Sequence, residues 1–269
     1  MAVDRSRAGA WPAYAAFFRR ALSSHLAYAG AVWLNLLATA AAFGLTLMVW
    51  AYALPEGDPR NAAFFAYLAL AFALNFSFGF ALERHVGERI REGLIATDML
   101  KPVDMSGLFL FQSLSDGLFQ SLFALSALAV AVLALGPALL PASAQAAALT
   151  LPSLALAALL QFYVCFLFVQ MIFLTHSNYG AFSTRMVLHN AFAGVFAPLE
   201  AYPDALRALA QWLPFHHVIY TPIALWQGRL SGAAAWGALG GQALWLVALF
   251  FLSRWSFDRI RRGLSIQGG

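Results

Sequence analysis

Long apolar runs separated by short polar stretches dominate this chain. The runs cover residues 28–54, 62–82, 107–135, 146–174, 181–199 and 232–253. Each is near or above the roughly 20 apolar residues that a helix needs to cross a hydrocarbon core. The pattern therefore predicts an all-α integral membrane protein with six transmembrane helices, folded as a single domain over residues 1–269. Three polar or interrupted segments stand out against the runs: residues 1–27 before the first, 83–106 between the second and third, and 198–230 between the fifth and sixth.

Shorter periodicities sit inside these segments. In WPAYAAFFRRALSSHL, Trp11, Tyr14, Phe18 and Leu22 recur at helical spacing beside Arg19 and Arg20, which suits a short helix lying in the membrane interface; a plain flexible lead-in is the alternative. Between Asp204 and Trp212, apolar Leu206, Leu209, Ala210 and the following Leu213 oppose Arg207 and Gln211, which predicts a short amphipathic helix. Prolines 198, 203, 214 and 222 interrupt the backbone around it.

Composition sharpens the class. Of 269 residues, 62% are hydrophobic and 10% charged, more apolar surface than one soluble domain of this length buries. The first run is too long for the core of a cleavable signal and no small-residue cleavage site follows it, so the first helix is expected to remain in the mature chain. One cysteine, Cys165, lies in the fourth run, where a small packing residue is the simplest reading. The pI of about 9.5 does not point to nucleic acid, because the basic residues are spread over positions flanking the runs, where they set topology and meet anionic lipid.

The six-run layout sorts the 16 Lys and Arg unevenly. Arg5, Arg7, Arg19, Arg20, Arg84, Arg89, Arg91, Lys101, Arg185, Arg254, Arg259, Arg261 and Arg262 fall on one side. Arg60, Arg207 and Arg229 fall on the other, together with Glu56, Asp58, Glu200 and Asp204. Because basic residues near helix ends stay cytoplasmic, both termini are expected in the cytoplasm of a bacterial cell, with the chain in the inner membrane.

On that side lies GERIREGLIATDMLKPVD, residues 87–104, with seven formally charged side chains. Read as a helix, it aligns Val86, Ile90 and Leu94 in an apolar stripe, while Glu88, Arg89, Arg91 and Glu92 form a charged face. Gly87 and Gly93 weaken the helix, and Lys101-Pro102 ends it. Such an element presses its stripe on the bundle and offers its charges to a partner; a solvated loop that only sets topology is the alternative.

The stretch REGLIATDMLKPVD resembles the segment after the second span in membrane subunits of type-2 ABC exporters. The resemblance is to a subgroup of two-gene permeases related to the viologen exporter, where an acidic-glycine turn leads to a D-x-L-L-x-P ending. Residues 195–229 resemble the same family, whose fifth span is followed by P-L-x-x-x-P, an amphipathic helix, an L-P-F break and P-x-x-x-x-x-G. These appear here as Pro198, Leu199 and Pro203, then Leu213, Pro214 and Phe215, then Pro222 and Gly228. Glu200, Asp204, His216 and His217 match no family motif.

The resemblance implies a permease that exports a hydrophobic or cationic drug-like molecule, or a lipid-like one. It implies a dimer with a second permease, identical or a sister chain, above two copies of a cytoplasmic ABC ATPase that bring ATP and Mg. Glu88, Arg89, Arg91, Glu92, Asp98, Lys101 and Pro102 would then couple to the ATPase. Pro198, Tyr202, Pro203, Pro214, Phe215 and His216 would belong to a re-entrant external gate; a shallow external loop is the alternative.

The chain offers no chemistry of its own. A phosphate-binding loop needs a lysine after a glycine-rich turn, and the one lysine, Lys101, follows IATDML. HExxH and GxSxG are also missing, and His216-His217 has no evident third ligand for a metal. No catalytic residue, cofactor or metal site is expected. On the third run, Gln112, Asp116 and Gln120 form a polar stripe, which with Asn75 is a candidate translocation path; Asp116 bonded to a neighbouring helix near the inner headgroups is the alternative. The scattered Asn35, Gln161, Gln170, His189 and Asn190 fit interhelical hydrogen bonds. A non-transporting membrane scaffold, or an ion-coupled secondary transporter using Asp116, are the rival functions.

Overall fold

The computed structural model describes residues 29–79, 82–92, 104–175 and 177–263, Leu94, and scattered helical positions between 12 and 23. Among these the regular structure is all helical. The chain runs through α1 (Ala29–Ala53), α2 (Arg60–Ser77), α3 (Leu82–Arg91), α4 (Met105–Leu135), α5 (Ala144–Thr175), α6 (Asn178–Phe192), α7 (Asp204–Trp212), α8 (Tyr220–Trp226) and α9 (Gly232–Gly263), with 3-10 turns at Gly136–Leu139, Leu199–Ala201 and Pro214–His217.

Local chemistry sets the boundaries. Asp104 is the N-cap of α4, accepting from the Gly107 amide at 3.3 Å, and Ser177 caps α6 by accepting from Gly180 at 3.1 Å; both side chains satisfy amides that a helix start leaves unpaired. Asp58 accepts from the Arg60 amide at 2.8 Å at the start of α2. Gly136 ends α4 with φ +54° and Gly194 follows α6 with φ +82°, backbone that glycine adopts without a Cβ penalty.

Among the described residues, five helical stretches are long and apolar enough to cross a membrane: Leu36–Ala53, Arg60–Ile90, Met105–Leu133, Ala144–Thr175 and Gly232–Ile260. These correspond to the first four apolar runs and the last. The fifth run, residues 181–199, differs from expectation. Its helix α6 has 15 residues, about 22 Å at 1.5 Å per residue, and the remainder is irregular because Gly194 turns left-handed and Pro198 fixes the chain in extended backbone. Hydrophobicity marks burial there, not helix.

α5 is the centre of the bundle. It packs against α9, α8, α3 and α6, and its Leu160, Phe162, Phe166 and Val169 lie in the main core with Tyr67, Leu82, Val86 and Ile219. In contrast, α1 leans on α2 and leaves Leu34, Leu37, Leu45 and Met48 outward. One end of the bundle carries the loop after α1, the turn after α4 and the segment between α6 and α9; it is the loop end. The other is the termini end, where Tyr14 stacks on Phe111 of α4 at 5.2 Å. Trp11 and Leu22, the other expected contacts of an interfacial helix, lie outside the described residues.

Each break in helix exposes carbonyls, and side chains from other helices meet them. Gln161 donates to Phe78 (3.2 Å), where α2 stops; Tyr67 donates to Gly194 (2.7 Å), Trp50 to Phe196 (2.8 Å) and Trp226 to Leu139 (2.8 Å). Gln170 bridges α5 and α9 through the Ser253 carbonyl at 2.9 Å. Gln161 and Gln170 thus make the interhelical bonds expected of them. Tyr67→Phe strands the buried Gly194 carbonyl and is expected to cost about 1–3 kcal/mol, read as a lower thermal midpoint in detergent. Tyr52→Phe, at a residue 96% exposed, is the comparison that leaves the midpoint unchanged.

Candidate coupling element and outer segment

α3 places its apolar side on α5 and α6. Leu82 and Val86 are buried and Ile90 packs on the core, so the stripe begins one turn earlier than the sequence periodicity suggests. Leu94 is 40% exposed: the chain break at Phe78 and Gly79 lets Leu82 open α3 already inside the core. Arg84 and Glu92 are exposed and Glu88 and Arg89 half-buried, so the charged face is partly open. The backbone of Arg91 continues the helix, while Asp98, Lys101 and Pro102 lie outside the described residues.

The second residue of α3 was not among the sequence candidates. Glu83 is fully buried and accepts from Arg185 of α6, itself 5% exposed: Arg185 Nε donates to one carboxylate oxygen, and Nη2 to the other at 3.5 Å. The guanidinium also lies 5.6 Å from the Phe182 ring. A buried charge is tolerated only when paired and hydrogen-bonded, so the pair fixes α3 on α6. The signal was available: Glu83 ends one apolar run and Arg185 stands inside another, and opposite charges in such runs seek one another.

The stripe on α4 faces the same region. Asp116 is buried with Oδ2 3.8 Å from His85 Nε2 of α3, and a Cβ built on Gly79 would approach Gln120 Oε1 at 3.3 Å. Gln112 is half-exposed on α4, and Asn75 is half-buried on α2, one turn before the break. Asp116 and Gln120 therefore meet the α2–α3 junction of their own chain.

At the loop end, residues 193–231 fold back on the bundle. Pro198, Pro214, Phe215 and His216 are buried, Tyr202 is half-buried and Pro203 exposed. α7 matches its expected bounds, yet only Ala210 is buried; Leu206, Leu209 and Trp212, the last 80% exposed, face outward. His216 Nδ1–H donates to Leu213 O at 2.8 Å, His217 Nδ1 lies 3.1 Å from Thr221 Oγ1, and the two ring centroids are 3.9 Å apart with the planes tilted by 35°. Gln242 donates both to His217 O (2.8 Å) and to Ser153 O (3.2 Å). Gln242 and Ser153 stand about 15 Å from the loop ends of α9 and α5 at 1.5 Å per residue. A Cβ on Gly241 would meet the His217 ring at 2.9 Å, so a glycine is what lets that ring lie against α9.

The loop end is also electrically balanced. Arg60 pairs with Asp58 at 2.7 Å, Arg207 with Asp204, and Arg229 with Glu200 at 3.3 Å, where Tyr220 also donates to Glu200 at 2.6 Å. The Arg60 guanidinium holds the Asp58 carboxyl below its ordinary value. Arg229 lies 5.3 Å from the Tyr67 ring. Among the described residues no three His, Cys, Asp or Glu side chains gather as a metal site.

Glu83→Ala or Arg185→Ala alone leaves an uncompensated buried charge and is expected to cost about 3–5 kcal/mol, whereas the double variant Glu83→Leu, Arg185→Met is expected to recover most of it. Thermal midpoints of the three variants against wild type check this; a loss in the double variant equal to the sum of the two single losses would show that the pair does not interact.

A comparison with curated proteins finds no match to the chain. A family model described as "ABC-2 family transporter protein" matches residues 62–268, a stretch that begins in α2, includes α3 and the Glu83–Arg185 pair, and runs through the outer segment and α9. This multi-pass membrane protein belongs to the ABC-2 family of transporters.

Proposed function

We propose that the chain is the permease subunit of an ATP-driven exporter in the bacterial inner membrane, of the viologen-exporter-like subgroup. It works as a dimer with itself or a sister chain, above two ABC ATPase subunits. The observation that carries this reading is α3: its apolar side is buried, Arg84 and Glu92 stand exposed on it, and a buried ion pair ties it to α6. An ATPase that binds the charged face then moves α6 with α3. ATP hydrolysis, with its Mg, belongs to the partner, since no phosphate-binding loop is present in this sequence.

Orientation follows from charge. By the sequence layout, three of the 16 Lys and Arg fall at the loop end and the other thirteen at the termini end, which supports a cytoplasmic termini end. α6 and the residues after it then make the fifth of six crossings, and residues 198–230 form a re-entrant external gate. The support for re-entry is the His217 carbonyl, held by Gln242 well below the loop ends of α5 and α9; broken backbone at that depth survives only where protein satisfies it. The cargo is a hydrophobic or cationic drug-like molecule, or a lipid-like one.

ATP binding closes the ATPase pair, pushes α3, and alters the angle between permease halves so that the path opens outward. Affinity purification of the tagged chain from native cells in mild detergent is expected to recover an ATPase. The variant Arg89→Glu, Arg91→Glu, Glu92→Lys is expected to lose it by roughly tenfold or more, the equivalent of about 1.4 kcal/mol. A clean wild-type preparation without ATPase supports a scaffold instead. For the gate, single cysteines along 198–228 probed with an impermeant thiol reagent are expected to react at Glu200 and Asp204 and to be protected from 214 to 225; Cys165 is buried and stays silent. Uniform reactivity would sink the re-entrant reading.

A further inference from the structure

A cavity of about 180 Å³ opens between α4, α5 and α9 at the termini end. A single water needs only about 10–15 Å³ of such space, so the cavity admits a small polar group. Its walls combine two chemistries. Tyr163 and Phe250 meet edge to face at 5.6 Å, and Phe166 and Phe257 lie 5.5 Å apart, making an aromatic floor. Asp104, Arg254 and Asp258 stand at the rim. Among the described residues Arg254 is exposed with no carboxylate within ion-pair distance, and the Asp104 carboxylate accepts from its own helix start, through Ser106 and the Gly107 amide.

Depth narrows the occupant. Tyr163 is about 29 Å from the loop end of α5, and Arg254 about 33 Å from that of α9, at 1.5 Å per residue. A hydrocarbon core is about 30 Å thick. Measured from the loop end, the charged rim therefore sits at the head groups of the opposite leaflet, while the aromatic floor faces the start of the acyl region. A purely cationic occupant meets Arg254, and a purely anionic one meets Asp104 and Asp258. A zwitterion meets neither obstacle.

We propose that this cavity binds the head group of a zwitterionic phospholipid that carries a primary amine, a phosphoethanolamine. Arg254 takes the phosphate as a charge-assisted hydrogen-bond donor. The ammonium lies between the Asp104 and Asp258 carboxylates and over the aromatic faces, where a cation is attracted by the ring quadrupole. The acyl chains leave along the apolar seam between α5 and α9. This inference requires only that the long helices span a membrane; it does not depend on ATP coupling or on the cargo.

The test uses the full chain, extracted in mild detergent from mixed phosphatidylethanolamine and phosphatidylglycerol bilayers and washed, with bound lipid counted by native mass spectrometry. Wild type is expected to retain about one phosphatidylethanolamine per chain. Arg254→Gln and Asp258→Asn are each expected to lower its apparent affinity about tenfold, and Arg20→Gln, an exposed arginine outside the cavity, to leave it unchanged. Size exclusion and the thermal midpoint establish that each variant is folded. Should Arg254→Gln fail to fold, Arg254→Lys and Phe257→Leu replace it, with retention kept by the lysine and reduced by the leucine. Retention of phosphatidylglycerol in preference would overturn the proposal in favour of an anionic site, and displacement by dodecyltrimethylammonium with no phosphatidylethanolamine binding would overturn it in favour of a cationic amphiphile. Equal retention by all variants would also overturn it, since the lipid would then be merely annular.

Discussion

Away from water, a carbonyl released by a helix break has to find a donor within the protein, and this constraint organises the bundle. The chain breaks at Phe78, after Leu135 and repeatedly between Ala193 and Ser231. At these breaks a long side chain arrives from a helix distant in sequence: Gln161, Trp226, Tyr67, Trp50 and Gln242. Each bond contributes only about 1 kcal/mol net, but leaving the acceptor buried and empty costs more. These contacts therefore specify which irregular conformation is tolerated more than they add to stability. They also explain why α5 and α9, which supply two of the donors, are among the longest elements at 32 residues each.

Charge obeys the same economy at the opposite end. Glu83 and Arg185 are buried where neither would be stable alone, and their union places the short helix α3 on α6 with a geometry that hydrophobic contact by itself would leave free to slide. Asp116 meets His85 of the same element from the α4 side. α3 is thus gripped by polar contacts on two sides and by Leu82 and Val86 on its apolar face, while Arg84 and Glu92 stand exposed on it.

Apolar runs and caps made much of this architecture legible. The long helices follow the hydrophobic runs, α7 matches its amphipathic period, and Gln161 and Gln170 make interhelical bonds as their isolation in apolar sequence suggested. Periodicity failed where tertiary structure decides. The stripe of α3 starts at Leu82 because a break, not a period, sets its origin. Residues 193–199 are as apolar as a span yet irregular, because Gly194 and Pro198 turn a segment whose carbonyls are met from elsewhere. α7 has the amphipathic pattern of a docked helix, but its leucines face outward and Ala210 alone of its residues is buried; one sequence cannot say whether an apolar stripe meets its own core, lipid or another chain. The Glu83–Arg185 partnership spans 102 positions, a separation that no local pattern encodes.

α6 joins these two halves of the structure. Midway along, at Arg185, it is held to α3 by the ion pair, and at its C-terminal end it runs into Ala193 and Gly194, whose carbonyls accept from the Tyr220 amide at 3.1 Å and the Tyr67 hydroxyl at 2.7 Å. A helix of 15 residues does not compress appreciably, because shortening it would break its own hydrogen-bond ladder. Under the proposed coupling, a displacement of α3 therefore reaches Gly194 nearly undiminished. There the chain changes from a stiff rod to a left-handed glycine, and the fold-back segment beyond it is retained by individual hydrogen bonds to α1, α2, α9 and the turn at Gly136–Leu139. Stiffness up to that point and compliance beyond it are what a push from one face needs in order to move a gate at the other. The same arrangement explains why Gly194 tolerates no Cβ: one would lie 2.6 Å from the Tyr67 hydroxyl, and it would burden with strain the one residue where the backbone has to turn.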